Sequence, residues 1–325
     1  MSKKFIKLVV CLTVAVMALA LVACGNDAPP PVAAPPAPAP PVAEAPPVAD
    51  PAPPADVVEE PAPVGISGPI TVIAREEGSG TRGAFVEIVD ITIEGNDNTT
   101  MEAVVAPGTS VMMTNVAENP VAIGYASTGV ALADDRVRVL SINGVAPTTE
   151  NMLNGTYAIQ RPFLLGYNTE EGLSPLAQDF VDFIFSAQGQ DVVAGRGYAP
   201  AVPTGAPDYS PANFSGTIVV NGSSSLYSLM GHLSEAYREL NPNVTIDIHG
   251  AGTGHGISAV RDGLADIAMS SRDLRETELE FLSPLTIAID GIAVIVHPDN
   301  PIEGMTVDQV RDIFLGDLTA WEAIQ

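Results

Sequence analysis

The stretch TIVVNGSSSLYSLMGHLSEAYREL, residues 217–240, decides the fold class of this chain. Its four β-branched residues predict a buried strand, the glycine and serines that follow predict a loop, and the remainder predicts an amphipathic helix. A second unit of this kind covers residues 244–264, with its helix expected at residues 257–264, and a third strand is expected at residues 266–269. Strand–loop–helix units in alternation predict parallel strands covered by helices, so the fold class is α/β.

The same alternation occurs earlier in the chain. Ligands of such sheets bind at the carboxyl ends of the strands, where the loops lie. The elements expected here are a strand at 70–74, a loop at 75–81, a helix at 82–90, a strand at 121–126, an extended stretch at 156–163, one long helix at 173–193 and a connection at 204–215.

The first residues have the features of a targeting signal. Three lysines between residues 3 and 7 precede an apolar run at residues 8–20, and the segment closes with LVACG at residues 21–25. This ending is similar to a bacterial lipobox, which predicts a signal peptide at residues 1–24 and a lipid on Cys24. The alternative is an N-terminal membrane-spanning anchor, but the apolar run is shorter than the roughly 20 residues that a spanning helix needs.

Composition narrows the remaining possibilities. Residues 25–65 are rich in alanine and proline and predict an extended stalk rather than a packed domain. The two cysteines are Cys11 and Cys24, so the expected mature domain has no thiol for a disulfide, a metal or catalysis. The formal charge of −25 excludes a generic basic surface for nucleic acid. We expect an extracytoplasmic monomer anchored to the cell membrane.

Three loops share a design that suits a small anion. Each follows a strand, contains glycine and hydroxyl residues, and precedes a helix; they lie at residues 78–81, 222–225 and 252–254. Amide groups at a helix N-terminus and neutral hydroxyls can replace the water around an oxyanion. Arg75 would supply one full positive charge on a planar fork. Each loop taken alone is also compatible with an ordinary helix cap.

The sequence REEGSGTRGAF at residues 75–85 resembles the signature of the phosphate-binding proteins of Pst-type ABC transporters. Residues 220–225 and 250–256 resemble the first two phosphate loops of that family, and residues 266–272 resemble the strand that carries a third contact. The resemblance implies a two-lobed periplasmic-binding-protein-like type II fold with the ligand cleft between the lobes. It also implies that the chain captures inorganic phosphate for an ABC importer, with the permease subunits as partners.

The resemblance also assigns residues to the site. Some family members have an aspartate at the position of Ser271, so selectivity against sulfate is an open question. Glu77 is expected to orient Arg75, and His255 and Arg272 are candidates for supporting positions, although His255 could also simply face solvent. The phosphate-binding residues implied are Arg75, Ser79, Gly80, Thr81, Ser224, Ser225, Thr253 and Ser271.

The order of the blocks differs from that of the family. The block at residues 216–325 comes first there and the block at residues 68–200 second, so this chain resembles a circular permutant; a truncated tandem repeat is the alternative. The permutation would join Trp321 to Gly68 in the usual chain. The lobes expected are lobe II, at residues 66–160 and 291–325, and lobe I, at residues 161–290. The chain is expected to cross between them near Arg161 and near Asp290.

Three other functions stay open at this point. A surface sensor or adhesin could keep the fold without transport, and the ligand could be another oxyanion such as sulfate. A surface hydrolase is a weaker alternative, because the chain has neither a Gly-x-Ser-x-Gly elbow nor a Walker loop. The four histidines show no spacing typical of a metal site, so we expect no metal, no cofactor and no catalysis.

Overall fold

The computed structural model describes residues 65–324. The predicted signal peptide, Cys24 and nearly all of the predicted stalk lie outside these residues. The strands are β1 (Thr71–Arg75), β2 (Thr92–Ile93), β3 (Asn96–Asp97), β4 (Val104–Ala106), β5 (Ala122–Ser127), β6 (Arg138–Val139), β7 (Ser141–Ile142), β8 (Gln160–Asn168), β9 (Ala199–Pro200), β10 (Gly216–Gly222), β11 (Val244–His249), β12 (Ile267–Ser270), β13 (Leu282–Val296) and β14 (Gly304–Met305). The helices are α1 (Gly80–Ile88), α2 (Thr109–Ala117), α3 (Thr128–Ala131), α4 (Thr149–Leu153), α5 (Pro175–Ile184), α6 (Ala187–Gly195), α7 (Tyr227–Leu240), α8 (Thr253–Arg261), α9 (Glu276–Leu279), α10 (Val307–Leu315) and a short 3₁₀ turn at Trp321–Ala323.

The main sheet is mixed and has the strand order β11-β10-β12-β8-β13-β5-β1-β4. Its outer parts are parallel, as the alternation of strands and helices predicts: β10 pairs in parallel with β11 and β12, and β1 with β4 and β5. The two central strands, β8 and β13, are antiparallel to each other. The α/β fold class predicted from the sequence is confirmed.

Strand β13 connects the two parts of the sheet. Its first residues pair with β8, from Leu282 to Gly291, and its last five pair with β5, from Ile292 to Val296. Nearly all of its second half is buried, which explains the continuous apolar run AVIV at residues 293–296.

Buried apolar side chains form separate clusters on the two sides of these central strands. Two clusters contain residues from 72–159 and 292–321, together with Ala199. Two others contain residues from 163–288. We use the names lobe II and lobe I for these two parts of the fold; the boundaries at residues 161 and 291 stay a prediction.

The two ends of the described chain lie against each other. The amide of Ile70 donates to the carbonyl of Thr319 at 2.8 Å, and the amide of Trp321 donates to the carbonyl of Gly68 at 3.1 Å. These are the segments that the predicted permutation would join in the usual order. A chain cut at this loop keeps its native contacts here.

Two predicted helices differ from the structure. Residues 173–193 were expected to form one helix, but they form α5 and α6, because the hydroxyl of Ser186 accepts from the amide of Gly189 and starts a new helix. The helix expected at residues 257–264 begins earlier, at Thr253, inside the glycine-rich loop. No helix within residues 65–324 is long and apolar enough to span a membrane.

Candidate functional site

Arg75 is the last residue of β1 and is almost fully buried. Its Nη1 donates to the hydroxyl of Thr109 at 3.3 Å, and its Nη2 donates to the hydroxyl of Ser224 at 3.0 Å. Ser224 follows β10 in lobe I, so the guanidinium of lobe II reaches across to the other lobe. A buried positive charge requires such partners to be tolerated.

Glu76 fixes the orientation of Arg75. Nε and Nη2 of Arg75 each donate to a different carboxylate oxygen of Glu76 at 2.8 Å, and the amide of Gly108 donates to the same carboxylate at 3.0 Å. Burial raises the pKa of Glu76, but the hydrogen bonds from Arg75 and Gly108 outweigh it and hold that pKa below its ordinary value. The prediction that Glu77 orients Arg75 is wrong, because Glu77 lies in the turn after Glu76 and is exposed.

Ser79 and Thr81, two predicted ligand residues of the first loop, have different roles. The hydroxyl of Ser79 accepts from the amide of Arg82 at 3.2 Å, so this side chain caps α1 as an ordinary N-cap residue does. The hydroxyl of Thr81 lies 2.7 Å from the hydroxyl of Ser225 in lobe I, and both residues are buried. Thr81 therefore lies in a buried cluster with Arg75, Ser224 and Ser225, whereas the hydroxyl of Ser79 already accepts a hydrogen bond from helix α1.

Gly80 is the point of closest approach between the loops. A Cβ at this position would lie 2.6 Å from Oγ of Ser271 and would collide with the hydroxyl of Thr253. Oγ1 of Thr253 accepts from the amide of Ser271 at 3.3 Å. Only glycine lets the backbone of lobe II approach the hydroxyls of lobe I this closely.

Ser271 has a buried hydroxyl without a partner. Oγ of Ser271 makes no hydrogen bond within the described residues, and the residue has no exposed surface. Buried hydroxyls normally have a partner, so an unpaired one beside Thr253 and Gly80 needs a specific explanation. A ligand between the loops would supply it.

His255 and Arg272 do not join the cluster. His255 is exposed, so it faces solvent, the alternative considered from the sequence. Arg272 forms a bidentate pair with Glu278, with both distances 2.8 Å, and its side chain packs next to Gly83. Neither side chain points at the buried hydroxyls that surround Arg75.

Thr109 was missed from the sequence although it contacts three members of the cluster. Besides Arg75, its hydroxyl lies 3.2 Å from Ser224 and 3.4 Å from Ser225. The signal was present, since Pro107 and Gly108 follow β4 and Thr109 begins α2, as in the other loops.

A second buried arginine, Arg161, contacts the backbone of the site and was also not predicted from the sequence. Arg161 on β8 donates from Nε and Nη2 to Oδ2 of Asp290 on β13, and from Nη1 to the carbonyl of Ser271 at 3.2 Å. Oδ1 of Asp290 accepts from the hydroxyl of Ser127 and the amide of Thr128. Burial raises the pKa of Asp290 to about 6 and lowers the pKa of Arg161.

The assembled cluster offers donors rather than catalytic groups. Hydroxyls of Thr81, Ser224, Ser225 and Thr253 converge with one guanidinium, and no carboxylate or imidazole accepts from Ser224 or Ser225 among the described residues. A nucleophilic serine would need such a base. Within residues 65–324, no group of three or more His, Cys, Asp or Glu side chains could hold a metal ion.

Comparison with known proteins identifies the family. A model described as "PBP superfamily domain" matches residues 59–188 and 206–323. The chain belongs to this family. The phosphate-binding protein PstS 2 of Streptococcus pneumoniae TIGR4 is 43% identical over 263 residues, which cover 80% of this chain and 89% of that protein. The resemblance to phosphate-binding proteins predicted from the loops is therefore confirmed.

A solved structure gives the same result. The crystal structure of a phosphate-binding protein of a phosphate ABC transporter from S. pneumoniae TIGR4 matches with a TM-score of 0.64 and 42% identity, over 79% of this chain and 100% of that one. The fold predicted from the resemblance is confirmed.

The extent of the sequence matches bears on the block order. A match through 89% of the S. pneumoniae protein requires its blocks to follow the same order as here. PstS of Pseudomonas aeruginosa PAO1, at 36% identity, matches over only 135 residues, 42% of its length. The order found in this chain is thus shared with a relative and is not peculiar to one sequence.

Proposed function

We propose that this chain is an extracytoplasmic solute-binding protein that captures inorganic phosphate for an ABC importer. The observation that carries the proposal is the convergence of Arg75 with hydroxyls from both lobes in one buried cluster. Relatives that are named phosphate-binding proteins support the same ligand.

The chemistry of the cluster suits a tetrahedral oxyanion. Arg75 presents a planar fork whose position is fixed by Glu76. The hydroxyls of Thr81, Ser225 and Ser271 are neutral donors, which can surround an anion without adding charge to a buried site. We assign phosphate contacts to Arg75, Gly80, Thr81, Ser224, Ser225, Thr253 and Ser271, with Thr109 as an addition. Ser79 is left out, because its hydroxyl caps α1 and its amide donates to the carbonyl of Glu76 at 3.2 Å.

Binding would couple to movement of the lobes. The side chains proposed to bind phosphate also contact each other across the two lobes. Examples are the contacts of Thr81 with Ser225 and of Arg75 with Ser224. The strands β8 and β13 pass between the lobes and are the natural hinge. An anion that contacts both sides would stabilise the closed arrangement, which is the form that a permease would recognise.

The proposed location rests on the predicted N-terminal signal. A lipid at Cys24 and a stalk through residue 65 would hold the domain near the membrane, where the permease subunits are. We propose a monomer with no enzymatic activity, since within residues 65–324 no carboxylate or imidazole accepts a hydrogen bond from Ser224 or Ser225.

Calorimetric titration of the purified protein with inorganic phosphate tests the proposal. We expect binding of one phosphate per chain, weakened by at least ~1.5 kcal/mol in Arg75→Ala, the range for a hydrogen bond to a charged group. Arg311→Ala is a matched control, because in the described part of the chain Arg311 pairs with Asp308 and Asp312 of its own helix. Tight phosphate binding by Arg75→Ala would overturn the proposed site.

A further inference from the structure

A groove of about 740 Å³ lies directly outside the buried cluster. Its walls come from both lobes. Ser79 and Gly254 line it, while their neighbours in the chain, Gly80 and Thr253, lie in the cluster. The amide of Gly254 donates to the carbonyl of Gly78 at 3.2 Å, and this contact between the two loops separates the groove from the buried hydroxyls.

The groove has a local charge that differs from the rest of the protein. The chain as a whole carries a formal charge of −25. Four arginines nevertheless line this groove, together with the carboxylates of Glu77, Asp97 and Glu278, and the carboxylate of Asp262 lies beside Arg261 at the rim, so the groove lacks the excess of negative charge found elsewhere. The arginines are Arg82, Arg261, Arg272 and Arg275.

Two of these arginines are built into the walls. Nε of Arg82 is 2.5 Å from the carboxylate of Asp97, and its Nη1 donates to the carbonyl of Arg75 at 2.7 Å. Arg272 and Glu278 form a largely buried pair, each side chain 12% exposed. These pairs hold the walls in place and tie the groove to the backbone of Arg75.

The other two arginines lie at the rim. Arg275 is exposed, and Arg261 forms an ion pair with the adjacent, exposed Asp262, at 3.1 Å. An exposed pair of this kind contributes little, so both guanidinium groups can turn toward an anion at the entrance.

We propose that this arginine groove is an outer capture site, at which the tetrahedral oxyanion binds weakly before the loops at Gly78 and Gly254 admit it to the buried cluster. The inference rests on the proposed function of that cluster. A dianion approaching a strongly acidic protein is repelled over most of the surface. A cleft lined with positive charge focuses the field and raises the local concentration of anions, which increases the association rate.

The proposal predicts different effects on the association rate and the dissociation rate of phosphate. The rim arginines act before the loops close, so their loss should slow entry. The groups that hold the bound anion, Arg75 and the hydroxyls, are unchanged, so dissociation should not change. Salt should remove the effect, because exposed charges are screened beyond about 10 Å at 0.1 M.

Stopped-flow mixing of the purified protein with inorganic phosphate tests this. Phe281, which lines the groove, is replaced by Trp in every protein compared, as a fluorescent reporter. In low salt we expect Arg261→Gln with Arg275→Gln to lower the association rate constant at least about threefold with an unchanged dissociation rate, and high salt to abolish the difference. Arg136→Gln with Arg311→Gln removes the same charge away from the groove and should change the association rate much less.

Two results would overturn the inference in distinguishable ways. If the reporter protein binds phosphate and the rim variant associates as fast as the control variant, the capture site is disproved and the proposed function stands. If the protein without any substitution binds no phosphate by calorimetry, the proposed function fails and this inference with it.

Discussion

Arg161 and Asp290 lie opposite each other on the two strands that pass between the lobes, and both are buried, with 1% and 0% of their side chains exposed. Their ion pair, at 2.9 Å, connects Ser127 of lobe II to the backbone of Ser271 of lobe I. Ion pairs without solvent carry a large desolvation cost, which makes this pair sensitive to pH.

The stability of the protein should depend on the protonation of Asp290. Burial raises its folded-state pKa from 3.8 to about 6, so between these values the folded protein holds a proton that the unfolded chain has released. The contribution of this group to the free energy of unfolding therefore falls as pH rises from about 4 to about 6, by at most ~1.4 kcal/mol per pH unit. Asp290→Asn should lack this slope.

Urea unfolding without phosphate, at several pH values, measures the effect. The unfolding free energy of the unsubstituted protein, relative to that of Asp290→Asn, should decrease across this range. The exposed Asp135 provides the control, since Asp135→Asn should keep the slope. Parallel curves for Asp290→Asn and the unsubstituted protein would contradict the assignment.

Gly80→Ala should weaken phosphate binding with little loss of fold. The added Cβ would press on the hydroxyls of Thr253 and Ser271 and hold the loops apart. We expect the phosphate affinity to fall at least about tenfold, or ~1.4 kcal/mol. Gly231→Ala, where a Cβ meets nothing within 4 Å, is the matched helical control and should bind normally. Unchanged calorimetric affinity in Gly80→Ala would show that the ligand lies elsewhere.

Glu76→Ala and Glu77→Ala should differ although the two residues are adjacent. Glu76 holds the guanidinium of Arg75 through two hydrogen bonds, whereas Glu77 is exposed. Loss of Glu76 should leave Arg75 misplaced and weaken phosphate binding about tenfold, because a small displacement of a positioning group is costly. Calorimetry on both variants decides: equal effects, or a larger effect from Glu77→Ala, would contradict the geometry.

Ser271→Asp should increase the selectivity of the protein for phosphate over sulfate. The hydroxyl of Ser271 can donate to either anion, so we expect sulfate to compete measurably in the unsubstituted protein. A carboxylate here would accept the proton that phosphate carries and would repel sulfate, which has none. Competition calorimetry should show sulfate affinity falling at least tenfold more than phosphate affinity, with Ser215→Asp, at an exposed position outside the groove, as control. An equal loss for both anions would disprove a direct contact.

The sequence predicted the loops better than the connections. The elements around Thr81, Ser225 and Thr253 have local signals, because glycine and hydroxyl residues between an apolar strand and an amphipathic helix define the turn. Strand β13 has no such local signal in the sequence. It was missed as an element because its partners, β5 and β8, are distant in sequence, although the crossing at Asp290 was expected.

The detailed roles of side chains required the structure. Glu76 and Glu77 are chemically identical, and only the turn that begins at residue 77 determines which one faces Arg75. Ser79 looked like a ligand group, yet its hydroxyl caps α1. Arg161 stood in an extended stretch without a motif, and its partner is 129 residues away. Such pairings depend on the packing of the whole sheet.

A crystal structure of the protein with inorganic phosphate tests the central claim most directly. We expect one phosphate between the lobes, within hydrogen-bond distance of Arg75 and of the hydroxyls of Thr81, Ser225 and Ser271 at the same time. A phosphate bound on one lobe alone, or at a surface away from Arg75, would contradict the account.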